Sequence, residues 1–436
     1  MKNKLGSAAV VTIIVIAAVA VIGAGIFLYP YSPDNPPVAD DVKATPEGIQ
    51  KIIDANNQFA FELYSKLNEK GQGNAFYSPY SISAALAMTY EGAKGQTADE
   101  MKSVFHFPEK NILRPNFASI YNDINTGNNA YELKTGNALW LQQDYPFNAN
   151  FTSTVEQYYG GKAANLDFIK ETEKSRQTIN SFIEEQTNNK IKDLIPQGIL
   201  NALTRMVLTN AIYFKGDWEW EFDKSNTREM NFKITSENIV KTEMMHMNPD
   251  KARFNYADLE KLQILELPYK GDDLSMLILL PKNMEDYDYE HDKIITYDYA
   301  IEDIELSYEK LKEYKSKMQE TKLDSIYFPK FEFDTKYMIA EILSDLGMPT
   351  AFSDGADFSG MTEEERLFIS HVIHQAYVKV DEKGTEAAAA TAVIMGATSV
   401  GPTKQKIFRA DHPFIFIIQQ KDTGNILFLG RVVDPR

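Results

Sequence analysis

Near its C-terminus the chain carries VDEKGTEAAAATAV at Val380–Val393: an acidic turn, a glycine, then small residues closed by β-branched ones. Helix propensity alone would make TEAAAATA a helix, because alanine is the strongest helix former. Taken at strand period, one face holds Thr385, Ala387, Ala389, Thr391 and Val393, and the other Glu386, Ala388, Ala390, Ala392 and Ile394. Every side chain on the first face is small or β-branched. Such a face can slip between two strands of an existing sheet without displacing core volume, and Gly384 gives the backbone freedom to swing it in. No inward position between Gly384 and Gly396 carries a proline, which would remove a ladder hydrogen bond, or a charge, which would be buried unpaired. A loop that can become a strand is a switch, and it requires a large sheet to receive it.

That segment resembles the reactive-centre hinge of the serpins, and the resemblance recurs along the chain. FRADHPFIFII at Phe408–Ile418 resembles the family's C-terminal signature, and ILFLGRVVDP at Ile426–Pro435 the closing strand pair. Asn74–Met101 resembles the run from a buried strand into the second helix, and Val207–Phe232 the central strand of the large sheet together with the segment after it. Pro329–Met361, PKFEFDTKYMIAEILSDLGMPTAFSDGADFSGM, fits a further family pattern. The likeness runs from about Gly48 to Arg436. It implies an α+β serpin fold: one large domain of three β-sheets with about eight or nine helices, and an exposed reactive-centre loop at about 382–402.

Composition is compatible with one acidic domain behind a non-globular N-terminus. Lys2 and Lys4 contribute +2 and no acid precedes Asp34, so the formal charge of −17 leaves −19 on the rest. That surface repels phosphate backbones and heparin-like polyanions, and neither is expected as a partner. The sequence has no cysteine, so disulfides and thiol chemistry are excluded. Residues 1–30 read as a membrane anchor or signal segment: 8–29 is a largely apolar run that as a helix would span about 33 Å. Its length favours an uncleaved anchor, and Lys2 and Lys4 before it favour a single-pass cell-membrane protein with the domain outside. Ala18-Val19-Ala20 offers a cleavage site, which makes a secreted protein the alternative. Residues 31–47 read as a flexible linker and 48–436 as the serpin domain, expected to be a monomer.

Between these landmarks, Gly48–Asn68, Ser175–Thr187 and Ile199–Thr204 read as helices. Leu262–Pro281 reads as a hairpin with Gly271-Asp272 at its turn. Asn283–Thr321, acidic and tyrosine-rich, reads as a surface insertion.

Each residue type that could carry chemistry has a plainer explanation. His371 and His374, three apart on a strand, point to opposite faces, so no metal site is expected. The resemblance places His374 with Ser78, Ser81 and Asn210 in a hydrogen-bonded shutter beneath the large sheet, and Trp218 near the top of that sheet where the loop first enters, although its neighbours are equally consistent with a plain core tryptophan. Asp411 and His412 are read as structural. Ser307–Lys310 is an SxxK and Lys134–Gly136 a KTG, but the order is reversed from penicillin-interacting enzymes. No enzyme activity and no cofactor are expected.

The resemblance implies a suicide inhibitor of serine proteases acting by loop cleavage, acyl-enzyme trapping and loop insertion. The alternative is a non-inhibitory serpin that works as a chaperone or binding protein. In the family, 17 residues run from the hinge acid to the residue before the cleaved bond. From Glu382 that gives Thr398, followed by Ser399, with Ala397 as runner-up. Small uncharged residues there imply an elastase-like or subtilisin-like target.

Overall fold

The computed structural model describes residues 38–125, 131–145, 147–249, 252–288, 293–298, 300–362, 367–385 and 405–436. Its longest strand, Met206–Asp217, is buried along nearly its whole length, as a strand covered on both faces must be. His371–Val380 runs parallel to it, from His371 opposite Val207 to Tyr377 opposite Tyr213. On the other flank lies one antiparallel neighbour, Tyr131–Thr135 and Ala138–Gln142, broken at Gly136-Asn137. There the Gly136 N–H still donates to the Ala211 carbonyl at 2.7 Å. Lys162–Leu166 and Phe331–Met338 form the edges, and Gly384–Thr385 lies between the two central strands, completing a seven-stranded sheet.

Helix Thr172–Gln186 covers one face of this sheet, setting Ile179 and Ile183 against Trp140, Val207, Ala211 and Ile373. The other face meets a second seven-stranded sheet whose hairpin, Leu262–Pro268 and Leu274–Pro281, turns through left-handed Gly271 and Asp272. Aromatic rings fill the space between the sheets. Phe76 stacks on Phe428 at 5.0 Å, and Phe428 reaches Phe214 of the large sheet at 5.8 Å. A third sheet of four strands joins Ile407–Arg409 to Ser325–Pro329, Ile239–Met247 and Arg228–Lys233. With eight α-helices among the described residues, the chain is one α+β domain.

Several expectations need correction. The helix expected at Ile199–Thr204 is absent; those residues form a turn, in which the Asn201 side chain and carbonyl accept from Leu203 and Thr204 N–H groups. The insertion holds a two-stranded ribbon, Asn283–Asp288 with Lys293–Asp298, and a helix, Tyr308–Ser316. Residues 38–45, expected as flexible spacer, are docked: Ala39 exchanges hydrogen bonds with the Asn122 side chain, and Asp40 N–H donates to the Gln157 carbonyl at 2.7 Å. Thr45 then caps helix Pro46–Lys70, accepting from Gly48 N–H. The single-pass membrane placement is also corrected. No helix among the described residues is long and apolar enough to cross a membrane, and residues 8–29 lie outside them.

Candidate functional site

The head of the large sheet is parted by the hinge. Thr385 pairs with Val380 on one side and Gly216 on the other, and Gly384 pairs with Asp217. A side chain at residue 384 would start 2.0 Å from the Gly216 carbonyl oxygen, so close backbone approach, beyond any need for flexibility, demands glycine here. Thr385 is buried and its hydroxyl meets the Tyr269 hydroxyl at 2.7 Å. Tyr269 is itself fully buried, and Trp218 stacks on it at 4.6 Å. Trp218 also ties down the turn before the hinge: its indole N–H donates to the Asp381 carbonyl and its backbone N–H to that of Lys383.

Glu382 completes this anchorage. Its backbone carbonyl accepts from Phe222 N–H, while its carboxylate accepts from the Thr227 hydroxyl at 2.8 Å and faces the Lys330 ammonium at 3.4 Å. Burial alone would raise its pKa, but the Thr227 hydrogen bond and the Lys330 charge outweigh burial and leave it lowered.

Lower in the same slot the strands are closed by a buried polar cluster. Ser78 N–H donates to His374 Nε2 at 3.1 Å, and His374 Nδ1 donates to Asn210 Oδ1. Asn210 Nδ2 donates to Ser81 Oγ and to Asn137 Oδ1, and Ser81 Oγ also donates to Asn137 Oδ1. Ser81 N–H donates to Ser78 Oγ as the cap of helix Pro79–Gly92. His374 is therefore neutral with its proton on Nδ1, and complete burial pushes its pKa down to about 3.

The family profile "Serpin (serine protease inhibitor)" matches residues 54–435. The chain is a serpin. It is 42% identical over 390 residues to an uncharacterized serpin-like protein of Methanosarcina mazei, covering 88% of this chain and 87% of that one. Leukocyte elastase inhibitor A of Rattus norvegicus is 38% identical over 390 residues, covering 89% of this chain and all of the relative. Human thyroxine-binding globulin in complex with its ligand superposes with a TM-score of 0.76 at 31% identity, covering 89% of this chain and 99% of that one. Serine protease inhibition is the activity that the family description names.

Other candidates fall into structural roles. Ser307 caps helix Tyr308–Ser316 by accepting from Lys310 N–H, and Lys134 pairs with Glu132. His412 bonds the Pro281 carbonyl and the Asp411 carboxylate. No group of acids and histidines among the described residues could hold a metal. Ala387, Ala389, Thr391, Ala397, Thr398 and Ser399 lie outside the described residues. Sequence reasoning missed Tyr269, Asn137, Thr227 and Lys330, each of which reaches the site from a strand or turn remote in the chain. Only for Thr227 and Lys330 was there a signal, since each stands inside a recognised family pattern.

Proposed function

We propose that this serpin is a suicide inhibitor of elastase-like or subtilisin-like serine proteases, a spring and not a catalyst. The observation that carries the reading is the seating of Thr385 between Val380 and Gly216. Were the loop to insert with that antiparallel register continued two residues at a time, Ala387 would lie between Val378 and Phe214, and Ala389 between Ala376 and Ile212. Thr391 would then come between His374 and Asn210, which are themselves directly paired. The flanking strands keep one offset throughout, so the slot accepts a strand without a register shift.

In the proposed sequence the protease serine attacks the carbonyl carbon of Thr398, the bond to the Ser399 nitrogen breaks, and the nitrogen leaves with the proton delivered by the protease histidine. The ester at Thr398 then faces two fates. Water can hydrolyse it, or the freed loop can insert, carry the protease along and distort its active site before hydrolysis. Insertion must displace the His374–Asn210 contact, and the Thr391 hydroxyl arrives where that contact is lost.

Incubation with pancreatic elastase tests the reading. The expected result is an SDS-stable complex and a C-terminal fragment that begins at Ser399. A new terminus outside 398–400 would refute the bond assignment. Cleavage without complex, and with no gain in thermal stability, would refute the spring and favour a non-inhibitory binding protein.

A further inference from the structure

Beneath the C-terminal end of helix Pro46–Lys70 lies a cavity of about 280 Å³ with a buried cation at its floor. Arg431 is 2% exposed. Its guanidinium donates to the Gly71 and Gly73 carbonyls at 2.7–3.0 Å and to Asn68 Oδ1, all neutral acceptors. Among the described residues no carboxylate pairs with it. A buried charge compensated only by dipoles is costly and leaves a positive potential in the space beside it.

Two further features of the wall share that bias. Lys336 spends its ammonium on the Asp193 carbonyl, also neutral, whereas Lys70 is paired with Glu341. The Tyr64 hydroxyl, in a residue 8% exposed, finds no hydrogen-bond partner among the described residues, although the Arg431 guanidinium lies beside it. A buried hydroxyl without a partner is uncommon. The remaining wall is apolar: Leu67 and Ile342 are buried, and Met338, an exposed large hydrophobic side chain, stands at 44% exposure.

We infer that this cavity binds a small amphipathic carboxylate, with the carboxylate toward Arg431 and Lys336 and the apolar body against Leu67, Ile342 and Met338. On a chain of net charge −17 this is a local reversal of sign, which explains why an anion would settle here and not elsewhere on the surface. The inference is independent of the inhibitory reading, because the cavity lies outside the slot and the hinge.

The probe is octanoate, measured by calorimetry and by the shift in thermal unfolding of the whole protein, with 1-octanol and inorganic phosphate as controls. Octanoate should bind at least about tenfold more tightly than either control, the factor that one lost charge contact of ordinary strength supplies. Arg431→Gln removes the anchor of the 71–73 turn and risks misfolding, so Lys336→Glu and Met338→Trp are the working variants, both at exposed positions. Each should weaken octanoate at least fivefold while leaving the unfolding midpoint without ligand unchanged. Octanoate binding equal to octanol overturns the anionic part of the proposal, and binding equal to phosphate overturns the apolar part. Unchanged affinity in both variants overturns the site.

Discussion

Two stretches of one strand pair behave differently. At the head, Val380 and Gly216 are parted by Thr385, which is held in the slot by one side-chain contact to Tyr269. Three residues down, Tyr377 faces Tyr213 directly, and by His374 and Asn210 the pair is locked by a cluster in which each polar group has a partner. The head is cheap to open and the middle is expensive. A fully satisfied buried network holds more than the sum of its pairs, whereas a single neutral hydrogen bond contributes about 0.5–1.5 kcal/mol net. Such a gradient lets a loop begin to enter without completing entry, which is the arrangement a metastable inhibitor needs.

The severest test of this gradient is at the head. Thr385→Arg places a cation at a buried position against the Tyr269 hydroxyl, a penalty of several kcal/mol. The hinge should be expelled and insertion should lose to hydrolysis, so that elastase cuts the variant without forming an SDS-stable complex. If the variant inhibits as well as wild type, entry at Thr385 is not the first step.

The middle should respond in the opposite sense. Asn210→Ala removes the acceptor of His374 Nδ1–H and the donor to Ser81 and Asn137, and orphaned buried groups cost about 1–3 kcal/mol each. The native state should lose stability and its conversion on warming to an inactive, loop-inserted form should accelerate. The check is the half-life of inhibitory activity at elevated temperature, scored beside native gels. An unchanged half-life would mean that the lock lies elsewhere.

These contrasts also mark how far the sequence could be read. The inward face of 385–393 and the family patterns made the receiving sheet, its two central strands and the shutter residues Ser78, Ser81, Asn210 and His374 legible. Contacts closed by distant chain were not. Asn137 joins the cluster only because its strand is interrupted beside Gly136, and Tyr269 reaches Thr385 from a hairpin 116 residues away. Nothing in periodicity marks such partners. The docked strap at 38–45 was missed because its composition is that of a spacer, and its order comes from Asn122 and Gln157 on helices that cover it. The apolar run at 8–29 was legible as hydropathy alone, which does not decide its fate.

Acid separates the two stretches next, because the middle titrates through a histidine. His374 has a folded pKa of about 3 against 6.5 for an ordinary histidine, so the native state binds fewer protons between those values. Its contribution is complete above pH 6.5 and is lost as the pH falls from there toward 3, amounting to about 2 kcal/mol by pH 5. The cause is complete burial, which disfavours the charged ring, and a proton on Nε2 would in addition face the Ser78 N–H that already donates there. Glu382, its pKa lowered, acts in the same direction but only below the ordinary carboxylate range. Denaturant unfolding at pH 7.5 and pH 5 should therefore show a loss that His374→Gln reduces, while Glu382→Gln leaves it intact over this interval. Equal pH slopes in wild type and His374→Gln would detach the histidine from the lock.

The smallest effect belongs to the contact that holds the head. Tyr269→Phe keeps the ring stacked on Trp218 and edge-on to Phe214 and deletes only the hydroxyl, leaving the buried Thr385 hydroxyl without its partner. The expected loss is about 1 kcal/mol, spent on the hinge and not on the fold as a whole, because among the described residues no other side chain bonds that hydroxyl. The seated and expelled hinge positions should then become closer in population, with faster proteolytic nicking around residues 381–385 and altered Trp218 emission, since its indole donates to the same turn. Global unfolding should move little and the shutter should keep its pH dependence. If instead the variant loses stability as Asn210→Ala does, head and middle are one cooperative unit, and the gradient along the slot does not exist.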